Sequence, residues 1–132
     1  MFLLDTNVCI GLLNGKSERL TGRLRATPPS EVRLSSIVKA ELLYGARHSA
    51  RVADNLRLLR RFFTAIPSIP FDDACAEEYG IIRSELSRAG RPIGPNDILI
   101  AATARAHDLI LVTSNLREFS RIPALEVEDW EA

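Results

Sequence analysis

The sequence is poor in cysteine, histidine and lysine, and it has no long apolar run and no glycine-rich loop. Each shortage removes a class of function. Two cysteines, Cys9 and Cys75, match no metal-ligand spacing, so two buried free thiols are expected, with a single disulfide as the alternative. Two histidines, His48 and His107, exclude a zinc site built on a histidine pair within one helix. Neither adjoins a nucleophile motif, which removes Ser-His-Asp and Cys-His catalysis. Gly11, Gly90 and Gly94 fall outside any phosphate-cradling pattern. No apolar stretch approaches the ~18–20 residues that span a bilayer, so no membrane association is expected. Met1–Asp5 has no basic residues and carries a carboxylate, unlike a secretory leader, so the expected location is the cytoplasm.

What remains is an ordinary globular composition of 132 residues, 46% hydrophobic and 26% charged, expected to form one domain over residues 1–132. The net charge of zero conceals a split: residues 1–66 hold eleven Lys/Arg and five Asp/Glu, residues 67–132 six and twelve. A basic surface beside an acidic one suits a polyanion substrate and a cation site, although charges that merely solvate helix faces produce the same split.

Phe2-Leu3-Leu4 reads as a short buried strand, followed by a helix capped by Thr6 or Asn7 and stopped at Asn14-Gly15. A second helix is expected over Ser17–Ala26, a strand over Val32–Ser35 and a helix from Ser35 or Ser36 to about Arg47. Residues 51–65 form the cleanest amphipathic pattern, with Val52, Leu56, Leu59, Phe63 and Ile66 on one stripe widened by Leu58 and Phe62. Arg57, Arg60 and Arg61 lie opposite, as phosphate contacts or as solvating charge. A strand is expected within Pro67–Phe71, then a helix opened by Asp72-Asp73 and ended by Gly90. A helix from Pro95 to about His107, apolar all round over Ile98–Ala102, precedes strands at Leu109–Val112 and Leu125–Val127. Short strands alternating with helices indicate an α/β fold with about five mostly parallel strands.

Such sheets bind ligands at the carboxyl ends of their strands. Asp5 ends the first strand, Asp97 sits in the first turn of the apolar helix, and Thr113-Ser114-Asn115 follows the strongest strand with Glu118 close behind. Each has a simpler reading as a helix cap, a dipole partner or a turn, and together they point to one edge. Glu41 shares a helical face with Ile37, Tyr44 and His48. A carboxylate in an apolar stripe requires an ion pair or a bound cation. His48 on that stripe reads as a packing residue. Carboxylates gathered in this way supply the hard oxygen ligands preferred by Mg²⁺ or Mn²⁺.

Four stretches bear a family resemblance: Leu4-Asp5-Thr6-Asn7, Val38 to Ala46, Ile93 to Ala102, and Leu111 to Asn115 with Arg117-Glu118-Phe119. In their order and spacing the sequence resembles the PIN-domain ribonucleases, and within them the VapC-type toxins of bacterial toxin–antitoxin pairs. The resemblance implies a PIN-like five-stranded sheet and metal-dependent endonuclease activity on RNA. It also implies an antitoxin partner covering the active-site cleft and a homodimer. By motif, Asp5, Glu41 and Asp97 take the three acidic metal positions, with Thr6 and Thr113 as positioning residues. The fourth position, often Asp, is Asn115 here, and Glu118 is expected to supply the missing charge with Asn115 orienting it. Two other readings compete. A phospho-receiver-like signalling domain needs a lysine after a late strand, whereas Lys16 and Lys39 are both early. The other is a PIN-like module that binds protein without catalysis.

Overall fold

The computed structural model describes residues 1–132. Strand β1 (Phe2–Leu4) lies at the centre of the sheet, and Leu3 and Leu4 are fully buried, as expected for a short apolar run covered on both faces. It pairs in parallel with β2 (Val32–Ser35) on one side and β4 (Ile110–Val112) on the other. β3 (Ser68–Ile69) and β5 (Val127–Glu128) form the edges, giving the order β3-β2-β1-β4-β5 with every pairing parallel. The chain therefore winds outward from β1 to β3, then crosses back to β4. The connections leaving β1 and β4 diverge, which opens a crevice at their carboxyl ends.

Seven helices cover the sheet: α1 (Thr6–Asn14), α2 (Glu18–Ala26), α3 (Ser36–Arg47), α4 (Val52–Ala65), α5 (Asp73–Arg88), α6 (Pro95–Ala106) and the short α7 (Leu116–Phe119). Local chemistry explains most of their ends. Asp5, Ser17, Ser35 and Asp72 each accept a hydrogen bond from a first-turn amide of the helix that follows. Gly15 and Gly90 close α1 and α5 with φ of 67° and 65°, a left-handed conformation that costs glycine nothing. Pro95 occupies the first turn of α6, where its missing amide proton is no loss.

Side chains from both sheet faces merge into one core cluster. α6 is its centrepiece: Ile98, Ile100, Ala101, Ala102, Thr103 and Ala104 are all buried. Small residues let α6 lie close to α5 and the sheet, which explains an apolar pattern with no polar face. Arg105 ties this helix to its neighbours, binding Glu78 of α5 at 2.7 Å and donating to the Pro123 carbonyl at 3.0 Å.

Several elements depart from the sequence reading. The strand expected within Pro67–Phe71 contracts to Ser68–Ile69, because Pro67 and Pro70 have no amide proton to give a ladder. The last strand falls at Val127–Glu128 instead of Leu125–Val127, set by Ala124, which turns the chain at φ 58°. A 3-10 turn at Pro29–Glu31 was not legible. On α4, Leu56, Leu59 and Ile66 are buried as expected, but Leu58 is 44% exposed. Both cysteines are buried free thiols.

Trp130, flanked by acidic residues, carried no core pattern, yet it is 2% exposed. Its ring meets Phe2 edge-on at 5.4 Å and lies under the Arg23 guanidinium at 5.3 Å, while Nε1 donates to Glu128. It closes the β1 end of the core. Trp130→Ala should therefore destabilise the fold by about 3–5 kcal/mol, whereas Leu58→Ser should cost less than about 1 kcal/mol. Denaturant midpoints of the two variants check this contrast, and equal losses would contradict it.

Candidate active site

Four carboxylates gather at the crevice between β1 and β4. Asp5 is the deepest, at 5% exposure. Its backbone amide continues the ladder by donating to the Val112 carbonyl at 3.0 Å, and its Oδ1 accepts from the Val8 amide at 2.8 Å. Asp5, and not the expected Thr6 or Asn7, therefore caps α1, and Oδ2 is left uncommitted to the cap. Burial pushes the carboxyl upward from its ordinary range, opposed by the Thr113 hydroxyl and the Val8 amide and reinforced by the nearby Glu41 and Asp129 charges.

The other three arrive on separate helices. Glu41 projects from α3, half-buried, and its Oε1 accepts from the Thr6 hydroxyl at 2.8 Å. Asp97 lies in the first turn of α6. Glu118 sits in α7, where its Oε2 accepts from the Asn115 amide at 3.1 Å. The Thr113 hydroxyl in turn accepts from the Asn115 backbone amide at 2.9 Å, fixing the turn that aims Asn115. Desolvation raises the Asp97 carboxyl to about 6, helped by a hydrogen bond toward Glu118 and by repulsion from Glu118, Glu41 and Asp5. The sequence-predicted residues Asp5, Thr6, Glu41, Asp97, Thr113, Asn115 and Glu118 thus form one neighbourhood.

This neighbourhood contains no compensating cation. The Arg–carboxylate ion pairs are Arg23–Glu128, Arg57–Asp54 and Arg105–Glu78, His107 lies against Asp72, and none of these contacts uses a crevice carboxylate. The ion-pair alternative for Glu41 is therefore excluded. Lys39 points away, its ammonium over the Phe63 ring at 4.8 Å, and Lys16 is exposed beyond α1, so the lysine that a phospho-receiver requires is missing. Partly buried carboxylates held together without a cation, all offering hard oxygen donors, fit a divalent ion such as Mg²⁺.

One expectation is overturned. Of the Ile37–Glu41–Tyr44–His48 face only Ile37 packs against the core, at its margin, whereas Val38, Leu42 and Ala46 are buried in it. Tyr44 is 69% exposed and stacks on an exposed His48 at 5.5 Å, so His48 is not a packing residue. That face instead walls an open cleft of about 640 Å³, lined by Thr6, Asn7, Ile37, Glu41, Tyr44 and Asn96 among others. Asn96 and the cleft role of Tyr44 were missed. The available signal was an aromatic one helical turn from Glu41.

Comparison with known proteins follows the same lines. The PIN domain family model matches residues 2–125. The tRNA(fMet)-specific endonuclease VapC of Salmonella typhimurium is 41% identical over 129 residues, covering 98% of this chain and 97% of that protein. Ribonuclease VapC2 of Rickettsia felis is 38% identical over 132 residues, covering 99% and 98%. Among solved structures, the DNA-bound VapBC complex from Salmonella typhimurium contains a chain that superposes with a TM-score of 0.93 at 41% identity, covering 98% of this chain and 97% of that one.

The charge crowding has a measurable consequence. Asp97 titrates near 6 in the fold against an ordinary 3.8, so folding favours its protonated form. The stability that this preference contributes is complete at acid pH and disappears as pH rises through the folded value. With divalent ions chelated, the melting temperature should fall as pH rises from 3.8 through about 6, and Asp97→Asn should flatten that fall. Thermal melts across the window check both. A parent and variant with the same slope would show that Asp97 feels no crowding.

Proposed function

The chain belongs to the PIN domain family, and on that footing we propose that it is the ribonuclease toxin of a VapBC-type toxin–antitoxin pair. It acts as a single nuclease domain over residues 1–132, hydrolysing RNA phosphodiester bonds with a divalent cation. The observation that carries this reading is the group of four crevice carboxylates without an internal cation. Relatives named as ribonucleases and as members of VapBC complexes support it. By the same reasoning the partner is an antitoxin that covers the cleft. The protein works in the cytoplasm as a homodimer.

Asp5, Glu41 and Asp97 are the residues that hold the cation, with Mg²⁺ or Mn²⁺ matching their oxygen donors. Bound there, such an ion supplies polarisation of the phosphoryl oxygen and a lowered pKa for water. The chain's own residues do the rest. Thr6 orients Glu41 through its 2.8 Å hydrogen bond, and the Thr113 hydroxyl steadies both Asp5 and the Asn115 turn. Asn115 cannot carry charge, so it orients Glu118, which serves as the fourth acidic group. Asp97, raised to about 6 by burial and its acidic neighbours, is a carboxylate whose ionised form a bound cation would stabilise.

The substrate is RNA with unpaired nucleotides, since a base in a loop can stack on the exposed Tyr44, which lines the cleft with Glu41. Initiator tRNA is the first candidate, because the Salmonella relative is named for that activity.

Purified protein should cleave an RNA panel that includes initiator tRNA, and a chelator should stop it. Cleavage that survives chelation, or an intact panel, overturns the reading. Asp97→Asn should abolish cleavage while leaving the circular dichroism spectrum unchanged. Glu118→Gln should raise the Mg²⁺ concentration needed for half-maximal rate by about 10–100-fold, and Asn115→Asp in that background should recover part of the loss. Normal cleavage by Glu118→Gln at every Mg²⁺ concentration would confine the site to Asp5, Glu41 and Asp97.

A further inference from the structure

A second group of potential ligands lies at the opposite end of α6. Asp97 opens that helix and His107 ends it, about 15 Å away at ~1.5 Å per residue. There the start of α5 meets the end of α6. Asp72, Cys75 and His107 each offer one ligand atom, and the three atoms lie within 4.8 Å of one another.

Each is presented by a separate local constraint. The Oδ1 of Asp72 caps α5 by accepting from the Cys75 amide at 3.0 Å, which leaves Oδ2 free. Oδ2 is 3.2 Å from His107 Nε2. That nitrogen is buried, with the Asp72 carboxylate beside it and no hydrogen bond of good geometry. The His107 backbone amide donates to the Thr103 carbonyl at 3.2 Å, holding the residue on the end of α6. Cys75 is 0% exposed; its Sγ lies 4.0 Å from the Pro70 carbonyl, with Asp72 and Thr103 as further polar neighbours. A buried sulfur, a buried imidazole nitrogen and a carboxylate oxygen therefore converge.

We propose that Asp72, Cys75 and His107 form a second metal site, selective for Zn²⁺ or a similar borderline-soft ion. Thiolate and imidazole ligands favour zinc over Mg²⁺, so the donor chemistry separates this site from the all-oxygen crevice. On binding, the Cys75 thiol loses its proton to solvent and the sulfur, the His107 lone pair and the Asp72 oxygen become ligands. Three protein ligands leave a fourth position for water, which enters past the Asp72 side chain, 42% exposed. The ion joins the first turn of α5 to the last turn of α6 and fastens the helix pair whose far end presents Asp97. No Cys-x-x-Cys or His-pair spacing marks it, because its ligands come from two helices that meet only in the fold.

The test uses the full chain, reduced and freed of metal by a chelator that is then removed. Titration with Co²⁺ should produce a thiolate-to-metal charge-transfer band that saturates at a single equivalent and is displaced by Zn²⁺. The band should vanish in both Cys75→Ser and His107→Gln and persist in Cys9→Ser and Asp97→Asn. His107→Gln replaces a partly exposed side chain, so it keeps the test decisive if Cys75→Ser folds poorly. Absence of the band in the parent, its survival in His107→Gln or in a folded Cys75→Ser, or its loss in Cys9→Ser or Asp97→Asn each overturns the proposal. RNA cleavage is not part of the readout, so failure here is distinct from failure of the nuclease reading.

Discussion

Like charges held close without a counter-charge are the constraint around which this protein is arranged. Asp5 is almost fully buried at the end of the central strand, and Glu41, Asp97 and Glu118 stand near enough to raise the Asp97 carboxyl to about 6. With fifteen arginines in the chain, evolution had ample means to neutralise the cluster. The fold instead directs its ion pairs to other places. The repulsion is the cost of a site ready for a cation, and the core has to hold the carboxylates against it.

The holding is done by structural elements that also serve other ends. Asp5 is at once a ligand candidate and the cap of α1, so it cannot swing away without uncapping a helix. α3 and α6 bring Glu41 and Asp97, and each helix is anchored by several buried side chains. Glu118 depends on a smaller device, the Thr113–Asn115–Glu118 chain of hydrogen bonds at the end of β4. Rigid supports of this kind keep donor positions fixed, which a metal site requires.

The same α5–α6 pair links the crevice with the Asp72–Cys75–His107 group at its other end. α6 is buried along most of its length and locked to α5 by the Arg105–Glu78 ion pair, with side-chain exposures of 15% and 28%. A rod supported in this way transmits the position of one end to the other. A fastening at His107 and a ligand at Asp97 are then two demands on one rigid element.

Much of this was legible in the sequence, because the signals were local. Apolar runs, caps, glycine stops and Pro95 determine where elements begin and end, and alternation of short strands with helices determines the parallel sheet. Asp5, Asp97 and the Thr113–Glu118 stretch were identifiable from their places at strand and helix ends. What the sequence could not determine depended on three-dimensional neighbours. Which face of α3 meets the core was decided by packing against β2 and α4, and it placed Tyr44 in the open cleft and left His48 exposed. Trp130 is buried only because the chain's end folds back onto Phe2 and Arg23. The absence of an arginine beside Glu41 and the meeting of Cys75 with His107 are likewise properties of assembly. Periodicity and capping act within a few residues of chain, whereas charge pairing and ligand convergence act across space, and only the tertiary structure brings their members together.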